Sequence, residues 1–333
     1  MLNRFIYISL LFLTSWQVKA QDPQFTQFFA ASNYLNPAFA GATFQNRAAL
    51  SYRNQWPGVP KAFVSYNAAV DMNFNKINTG VGLSVYRDKA GTGGLNTTNV
   101  ALQISHQFKI NRDLYIRPAI QYGIFNKSLD LNSLTFGDQL VRGNAPTSIE
   151  QNQIEPITNF DFATGTLLYS STKWIGISVH HLNKPNESLL GDESALPMRF
   201  SVHGGWKVYM DQILRNTTDD ALNFAFNFKS QGKYDQLDIG VYYERKPVVF
   251  GIWYRGIPVF KAYQPGYQNN DAIALMIGGE FKAFKIGYSY DITISRLATN
   301  TTGSHEVSLI YNWAGKDAPP LSKQLRQVPC PKF

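Results

Sequence analysis

The chain has 333 residues, 31 lysines and arginines against 23 aspartates and glutamates, a formal net charge of +8 and one cysteine. Its basic residues are scattered singly, without runs or aromatic-interleaved clusters, which argues against nucleic acid as a partner. A single cysteine excludes an internal disulfide and a cysteine metal cluster, so neither stabilises the fold.

The first residues predict a secretory signal peptide over residues 1–20. Arg4 precedes a continuous apolar run over residues 5–13, and small residues lie at the positions that direct cleavage after Ala20. Polar residues interrupt the run well short of the roughly 20 apolar residues that a transmembrane helix needs. We therefore expect cleavage between Ala20 and Gln21 and export of the mature chain.

A two-residue periodicity of apolar and polar side chains predicts membrane-spanning β-strands. In residues 61–74, Val64, Tyr66 and Val70 share one face, and polar residues such as Asn67 alternate with them on the other. This segment is longer than the roughly 5 or 6 residues of an ordinary strand. It matches the about 9 to 11 residues of a tilted membrane strand with an overhang.

The segment over residues 114–124 indicates the environment of the second face of these strands. One face is apolar throughout, and Arg117 lies on the opposite face. Transmembrane barrels alternate lipid-facing and lumen-facing residues in this way, so a polar interior is expected. Fourteen such strands are predicted, at residues 48–53, 61–74, 81–86, 100–105, 114–124, 159–169, 174–180, 198–209, 222–228, 236–245, 248–256, 272–282, 284–292 and 305–313.

These strands are expected to close into an antiparallel β-barrel in the outer membrane. Only helices and closed barrels satisfy their backbone groups within lipid, and no window after the signal peptide is apolar enough for a helical span. An even strand number returns both ends of the barrel to the same side.

The lengths of the links between strands support this topology, because periplasmic turns are short and external loops are long. Short links fall at residues 75–78, 110–113, 170–173 and 246–247 and around Ala283, and long ones at 54–60, 88–94, 127–157, 182–197, 257–270 and 293–304. The links at 211–220 and 229–233 break the alternation, which raises the hypothesis of a misplaced strand near them.

Two segments flank the predicted barrel of residues 46–313. Residues 21–45 are expected either to plug the lumen or to reach a periplasmic partner. Residues 314–333, which are rich in proline and basic residues, read as an irregular periplasmic tail.

Three groups of residues resemble sites of chemistry but lack features that such sites need. His180 and His181 are adjacent on a strand and are expected to point to opposite faces, which argues against joint metal binding. Ser201 and His203 share a face, but no nucleophile elbow accompanies them. The glycine-rich segment at 91–94 lacks the lysine and helix of a phosphate loop and reads as a loop tip. No enzyme activity, cofactor or metal is expected.

Inner-face charges are predicted to pair within the lumen, or to form a polar surface that holds a plug or a partner segment. The carboxylates are Asp161, Asp238, Glu244, Glu280, Asp291 and Glu306, and the cations are Arg117, Arg199, Arg255 and Lys285. Bulky inner-face side chains are expected to crowd the lumen, namely Phe63, Tyr115, Trp174 and Trp253.

Six strings together resemble the PorP/SprF family of type IX secretion system outer-membrane proteins. They are QDPQFTQFFAASNYLNPAFAG (21–41), GISVHHLNKP (176–185), GIWYRG (251–256), IGYSYDIT (286–293), GSHEVSLIYNW (303–313) and VPCPKF (328–333). Each string alone is weakly specific, but all six occur in the family's order, and the likeness spans nearly the whole mature chain. Asn36, Pro37 and Cys330, which lie in the first and last strings, are candidate partner contacts. Cys330 is either an inert reduced residue or a thiol that pairs with a partner.

The resemblance implies a non-catalytic component that serves export of large surface proteins, including gliding-motility adhesins. Its implied partners are the C-terminal domains of secreted proteins and other components of the secretion machinery in the periplasm and outer membrane. The external loops at 127–157 and 182–197 offer most recognition surface. The alternative is a passive or substrate-specific pore, since 14 strands enclose a wide cavity. The cargo, the partner stoichiometry and whether the lumen is plugged do not follow from the sequence.

Overall fold

Fourteen β-strands form the wall of the protein in a computed structural model, which describes residues 22–59, 63–91, 94–143, 145–149, 154–210, 220–257, 262–264, 267–295 and 301–315. The strands are β1 (Asn46–Gln55), β2 (Phe63–Phe74), β3 (Thr79–Ala90), β4 (Leu95–His106), β5 (Tyr115–Ser128), β6 (Ile157–Tyr169), β7 (Lys173–His180), β8 (Arg199–Tyr209), β9 (Ala221–Gln231), β10 (Tyr234–Arg245), β11 (Val248–Gly256), β12 (Asn270–Phe281), β13 (Phe284–Thr293) and β14 (Ser304–Trp313).

Short elements occupy the segments before and between the strands. They are α1 (Ser32–Leu35) and α2 (Gly137–Val141), the 3-10 turns Pro37–Phe39 and Leu131–Ser133, the strand pair Ala262–Gln264 and Tyr267–Gln268, and Phe108–Lys109, which extends the sheet beside β5. No helix within the described ranges is long and apolar enough to cross a membrane.

The sheet closes on itself. Each strand pairs antiparallel with its neighbours in sequence, and β1 pairs with β14 from Asn46 opposite Trp313 to Gln55 opposite Ser304. Closure removes the two sheet edges, so every strand has a hydrogen-bonding partner on both sides. The prediction of a closed antiparallel barrel of 14 strands is confirmed.

All 14 predicted segments correspond to strands of the barrel, and the largest differences are at strand ends. β3 was predicted as 81–86 and extends over Thr79–Ala90, while β4 was predicted as 100–105 and extends over Leu95–His106. The apolar alternation fades where side chains such as Arg87 leave the lipid, but the backbone pairing continues beyond that point.

The hypothesis of a misplaced strand near 211–233 is wrong. β8 and β9 pair over their full lengths, from Tyr209 opposite Ala221 to Arg199 opposite Gln231. β9 and β10 then join through a tight turn at Gly232, whose φ of 62° favours glycine. The alternation of link lengths fails here because one long-loop position holds a two-residue hairpin.

The two faces of the wall differ in polarity, as the periodicity predicts. Outward side chains are large, apolar and exposed, with Ile120 at 66% and Leu83 at 50%. Inward side chains are mostly polar and buried, as in Asn67, Gln103 and Ser289. Lipid contact on one face and an enclosed polar interior on the other produce this division.

Candidate functional site

The segment of residues 22–45, called the plug below, lies inside the barrel. Gln27 accepts a hydrogen bond from Ser308 of β14 (2.5 Å), and Asn33 donates to Gln103 of β4 (3.1 Å). Asn36 donates to the backbone carbonyl of Ile177 in β7 (3.1 Å). Because these partners lie on strands around the wall, the plug fills the lumen between them. The sequence had left open whether this segment plugs the lumen or reaches a partner.

Aromatic side chains of the plug pack against aromatic side chains of the wall. The ring of Phe28 lies edge-on to Trp253 with centroids 5.1 Å apart, and Phe39 lies edge-on to Trp174 at 5.7 Å. All four side chains are at most 5% exposed. This packing contributes burial energy and pairwise aromatic attraction to plug docking. Tyr115, also predicted to crowd the lumen, is buried in the same cluster.

Phe63 departs from that prediction. It is 38% exposed, and its ring packs against Trp56 of the β1–β2 link with centroids 5.7 Å apart. Phe63 is the first residue of β2, where the strand has only just left that link. The inward face at a strand end therefore does not reach the filled part of the lumen.

A buried charge cluster clamps the plug at Thr26 and Gln27. Glu306 of β14 accepts both backbone N–H groups, at 2.7 Å and 3.0 Å. The Thr26 hydroxyl donates to Asp291 of β13 at 2.7 Å. Arg53 of β1 in turn donates to Glu306 (3.2 Å) and Asp291 (2.8 Å). Hydrogen bonds to charged groups are the stronger ones, so this cluster holds the plug firmly.

Arg255 of β11 completes the cluster. Its guanidinium donates to Asp238 at 2.9 Å, to Asp291 at 2.9 Å and to the Thr26 hydroxyl at 2.9 Å. The predicted pairing of inner-face charges therefore occurs, and the polar surface that it creates binds the plug. Sequence reasoning missed Arg53 and Thr26, because neither pattern nor spacing marks them as partners.

A second cluster holds the start of the plug near the long-loop end of the barrel. His181 donates to Asp22 at 2.8 Å and to Asp161 at 3.0 Å, which requires both ring nitrogens to be protonated. Arg199 donates to Asp22 at 2.8 Å and to the hydroxyl of Tyr34 at 2.6 Å. Its guanidinium also lies over the Tyr34 ring, 4.4 Å from the centroid.

The charges of this cluster set its protonation. Burial disfavours the imidazolium form of His181, but the carboxylates of Asp22 and Asp161 outweigh burial and raise the pKa of His181 to about 9. Burial alone would raise the pKa of Asp22, yet His181 and Arg199 lower it well below its usual range. The cluster is therefore a set of paired charges at neutral pH.

The prediction that His180 and His181 point to opposite faces is wrong. Both His180 and His181 are buried, and their ring centroids lie 6.3 Å apart. β7 ends at His180, and His181 adopts a φ of 58°, which turns its side chain inward as well. Within the described residues no group of three metal-ligating side chains is found.

At the short-turn end the plug touches the wall backbone closely. Arg117 of β5 donates to the carbonyl of Ala40 at 3.1 Å, and Arg47 of β1 pairs with Asp71 at 2.9 Å. A Cβ atom at Gly80 would lie 2.1 Å from the Ala40 carbonyl oxygen. Glycine is needed there because the plug backbone occupies the space of a side chain. Arg117 does not pair with a carboxylate as the sequence suggested.

Asn36, Pro37 and His203 lie in the interior of the barrel. Asn36 is 0% exposed and caps the turn at Pro37 by accepting from the Ala38 N–H at 2.8 Å. A partner could reach Asn36 and Pro37 only if the plug left the lumen, so that contact stays a prediction. His203 stacks on Phe39, with centroids 5.8 Å apart, and shares a hydrogen bond with Asn36 at 3.2 Å.

Some predicted features lie outside the described residues. They are the signal peptide over 1–20, the cleavage positions Ala20 and Gln21, and the tail beyond residue 315 with Cys330.

Two long loops, at residues 129–156 and 181–198, pack on each other and are called the loop platform. The N–H of Glu155 donates to the carbonyl of Leu189 at 3.1 Å, and Lys127 pairs with Glu187 at 2.7 Å. Asn159 donates to the carbonyl of Asn186 at 2.7 Å. The first contact joins the two loops, and the other two tie the second loop to the ends of β5 and β6.

The loop platform exposes aliphatic side chains on an ordered support. Asp138 accepts from the Ser148 hydroxyl at 2.5 Å and from the Ile149 N–H at 3.0 Å, which ties the start of α2 to a later part of the same loop. Val141 is 88% exposed, Ile149 66% and Leu140 61%. Exposed aliphatic groups beyond the lipid band have no lipid to cover them and are typical of interaction surfaces.

Fold and interior together define a class: an outer-membrane β-barrel of 14 strands whose lumen is filled by its own N-terminal segment. The family model described as type IX secretion system membrane protein PorP/SprF matches residues 17–311. The chain belongs to this family, and it is a membrane component of the type IX secretion system.

Solved structures similar to this chain are also outer-membrane barrels. The Acinetobacter baumannii outer membrane protein Omp33 is 8% identical with a TM-score of 0.46, and the match covers 82% of this chain and 100% of that one. A mutant of the TodX monoaromatic hydrocarbon channel is 10% identical with a TM-score of 0.47, covering 86% and 94%. A mutant Rh. blastica porin is 8% identical with a TM-score of 0.33, covering 81% and 99%. The comparison with curated proteins gives no match.

Proposed function

We propose that this protein is a non-catalytic binding component of the type IX secretion system, which retains secreted surface proteins at the cell surface and links them to the periplasmic machinery. The observation that carries the proposal is the filled lumen. Residues that would line a pathway, such as Arg53, Trp253 and Glu306, are instead bound to the plug. Partners are therefore recognised by the outside of the barrel, and the protein acts by binding them and not by catalysis.

The loop platform is the part of the exterior best suited to hold cargo. Long loops lie at the external end of bacterial barrels, and the platform presents Leu140, Val141 and Ile149 there. We assign the platform to the C-terminal domains of secreted proteins, such as gliding-motility adhesins. Ordered loops bind with little loss of conformational entropy, which favours affinity.

The link to the periplasm is assigned to the tail. β14 ends at Trp313 on the short-turn side, the periplasmic side in bacterial barrels, and the tail follows it. Cys330 provides a direct test. Whole cells are analysed by non-reducing electrophoresis and mass spectrometry, with Cys330→Ser as the control. A mixed disulfide with a secretion component supports the link. An entirely free thiol would refute a disulfide between Cys330 and a partner.

The platform is tested in a strain that depends on this protein. Leu140→Ser, Val141→Ser and Ile149→Ser are combined in one variant. Mass spectrometry then compares the amount of secreted protein retained at the cell surface with the amount released into the medium. If each side chain contributes about 1 kcal/mol to binding, cargo affinity falls roughly 100-fold and cargo appears in the medium. The control replaces Ile77 and Ile110 by serine; these are exposed aliphatic residues at the short-turn end, at 60% and 55%.

Barrel assembly is checked in the same cells by the heat-dependent gel mobility of the protein. Normal cargo retention by the platform variant, with normal assembly, would refute the assignment. Equal cargo loss in the control variant would refute it too, because the effect would then not belong to the platform.

The pore remains the alternative function, and its test is conductance in planar bilayers. The filled lumen leads us to expect no steady single-channel current from the wild-type protein. A stable, open-channel current from a clean monomer would favour the pore. The Glu306→Gln variant, in which we expect a loosened plug, shows whether the assay detects an opened lumen.

A further inference from the structure

Two basic side chains lie on the lipid-facing side of β3 at the external end of the barrel. Arg87 and Lys89 are both exposed and alternate with the half-buried residues Tyr86 and Asp88. Tyr86 points inward, since its ring packs on Tyr34 of the plug with centroids 5.2 Å apart. Arg87 and Lys89 therefore point outward, on the same face as Leu83.

The row of side chains across neighbouring strands fixes the depth of this pair. Arg87 lies opposite Tyr66 of β2, which lies opposite Tyr52 of β1. The two tyrosine rings are 5.2 Å apart, and both are exposed on the outer surface. Outward tyrosines above an apolar band mark the membrane interface in barrels. The guanidinium of Arg87 is therefore level with the lipid headgroups.

Strand length gives the same depth independently. From Thr79 at the short-turn end of β3, eight residues lead to Arg87 and ten to Lys89. With about 3.3 Å per residue and a tilt of about 40°, these residues lie roughly 20 and 25 Å above the start of the strand. The apolar band of such barrels is about 25 Å tall, so the pair lies at its upper edge.

The outward faces of the strands on either side offer the pair no carboxylate. Outward neighbours on adjacent strands are uncharged: Val64 lies opposite Lys89 on β2, and Thr98 lies opposite Arg87 on β4. Asp130 lies on the loop side of Lys89: a Cβ atom added at Gly94 would lie 3.5 Å from Cε of Lys89 and 3.8 Å from Oδ2 of Asp130. In the described part of the chain, neither Arg87 nor Lys89 makes a hydrogen bond or an ion pair.

We propose that Arg87 and Lys89 form a binding site for the phosphorylated headgroup of an outer-leaflet glycolipid of the lipid A type. The guanidinium binds a phosphate in bidentate geometry, and the ammonium adds a second positive charge beside it. The acyl chains of the lipid pack on the outward apolar side chains below, Leu83 and Val85. The site attaches one face of the barrel, at β2 to β4, to the outer leaflet.

The test uses the full chain, purified in a detergent micelle, with native mass spectrometry as the readout. Diphosphorylated lipid A is titrated against the wild-type protein and against the Arg87→Gln/Lys89→Gln variant. Each cation near an anionic lipid surface is expected to change affinity about fivefold, so the double variant should bind roughly 25-fold more weakly. A dephosphorylated lipid A should bind both proteins equally.

The matched control is Lys109→Gln/Arg112→Gln, which removes the same charge from exposed residues at the short-turn end. It should bind diphosphorylated lipid A as the wild type does. Equal affinity of the wild type and the Arg87/Lys89 variant would overturn the proposal. So would an equal loss in the control variant, or an equal loss when phosphatidylglycerol vesicles replace lipid A, because binding would then follow total charge.

Discussion

Replacing Glu306 by glutamine is expected to loosen the plug while changing the wall by only one polar atom. The carboxylate accepts the N–H groups of Thr26 and Gln27 at 2.7 and 3.0 Å and pairs with Arg53 at 3.2 Å. A glutamine amide has one acceptor oxygen and no charge, so one N–H group loses its partner and the other loses its charge assistance. With about 1.5 to 3 kcal/mol for a hydrogen bond to a charged group, docking weakens by about 3 kcal/mol.

Thiol labelling measures the undocking of the plug directly. Ala31 is 1% exposed and lines a small cavity of about 10 Å³, into which the one added sulfur atom of an Ala31→Cys side chain can point without displacing the plug. Cys330 is replaced by serine so that the introduced thiol is the only one. A maleimide then reacts only when the plug opens, and a loss of about 3 kcal/mol raises the labelling rate roughly 100-fold.

Glu244→Gln is the matched control for this experiment. Glu244 also carries a charge pair, half-buried, with Lys207 at 2.5 Å, but both residues belong to the wall and neither touches the plug. Labelling of the control should stay near the wild-type rate. If Glu306→Gln labelled no faster than Glu244→Gln, the role of the charge cluster as a clamp would be refuted.

Three further predictions concern pH, packing and lipid contact. Because the pKa of His181 is about 9 in the folded protein, above roughly 6.5 in the unfolded chain, its pairing with Asp22 stabilises fully below pH 6.5, and about 3 kcal/mol is lost as the pH rises through 9. Thermal unfolding in detergent should show this decline, and Asp22→Asn should flatten it. Gly165→Ala places a Cβ atom 2.1 Å from Oδ1 of Asn36, so maleimide labelling of Ala31→Cys should rise, and an unchanged rate would contradict the described docking. Ile120→Arg, on the lipid face, should cost about 2 to 4 kcal/mol of folding free energy in bilayers, and a neutral result would place Ile120 outside the lipid band.

The number of strands, and the face that side chains take within the strands, could be predicted from the sequence alone. Lipid on one side and a polar interior on the other impose a period of two on every strand. The alternation of neighbouring residues therefore predicts the face on which Val64 or Arg117 lies. The predicted ends of the strands were less accurate. Backbone pairing between β3 and β4 continues past the lipid, where the alternation of apolar and polar residues fades.

The sequence also determined the family, through six strings that run in order along the chain. It did not determine the orientation of His181, because the end of β7 and a positive φ at that residue turn the ring inward. A one-residue change in where a strand ends reverses the face of the next side chain, and periodicity does not resolve that.

The position of the plug was decided only by the tertiary structure. Its contacts join residues far apart in the chain, as in Gln27 and Ser308, which are 281 positions apart, or Asn36 and Ile177, which are 141 apart. The segment has no periodic pattern of its own that would distinguish a lumenal plug from a periplasmic arm. Barrel closure brings Arg53, Asp291 and Glu306 together on strands that are distant in sequence, and only this assembled surface can bind the plug.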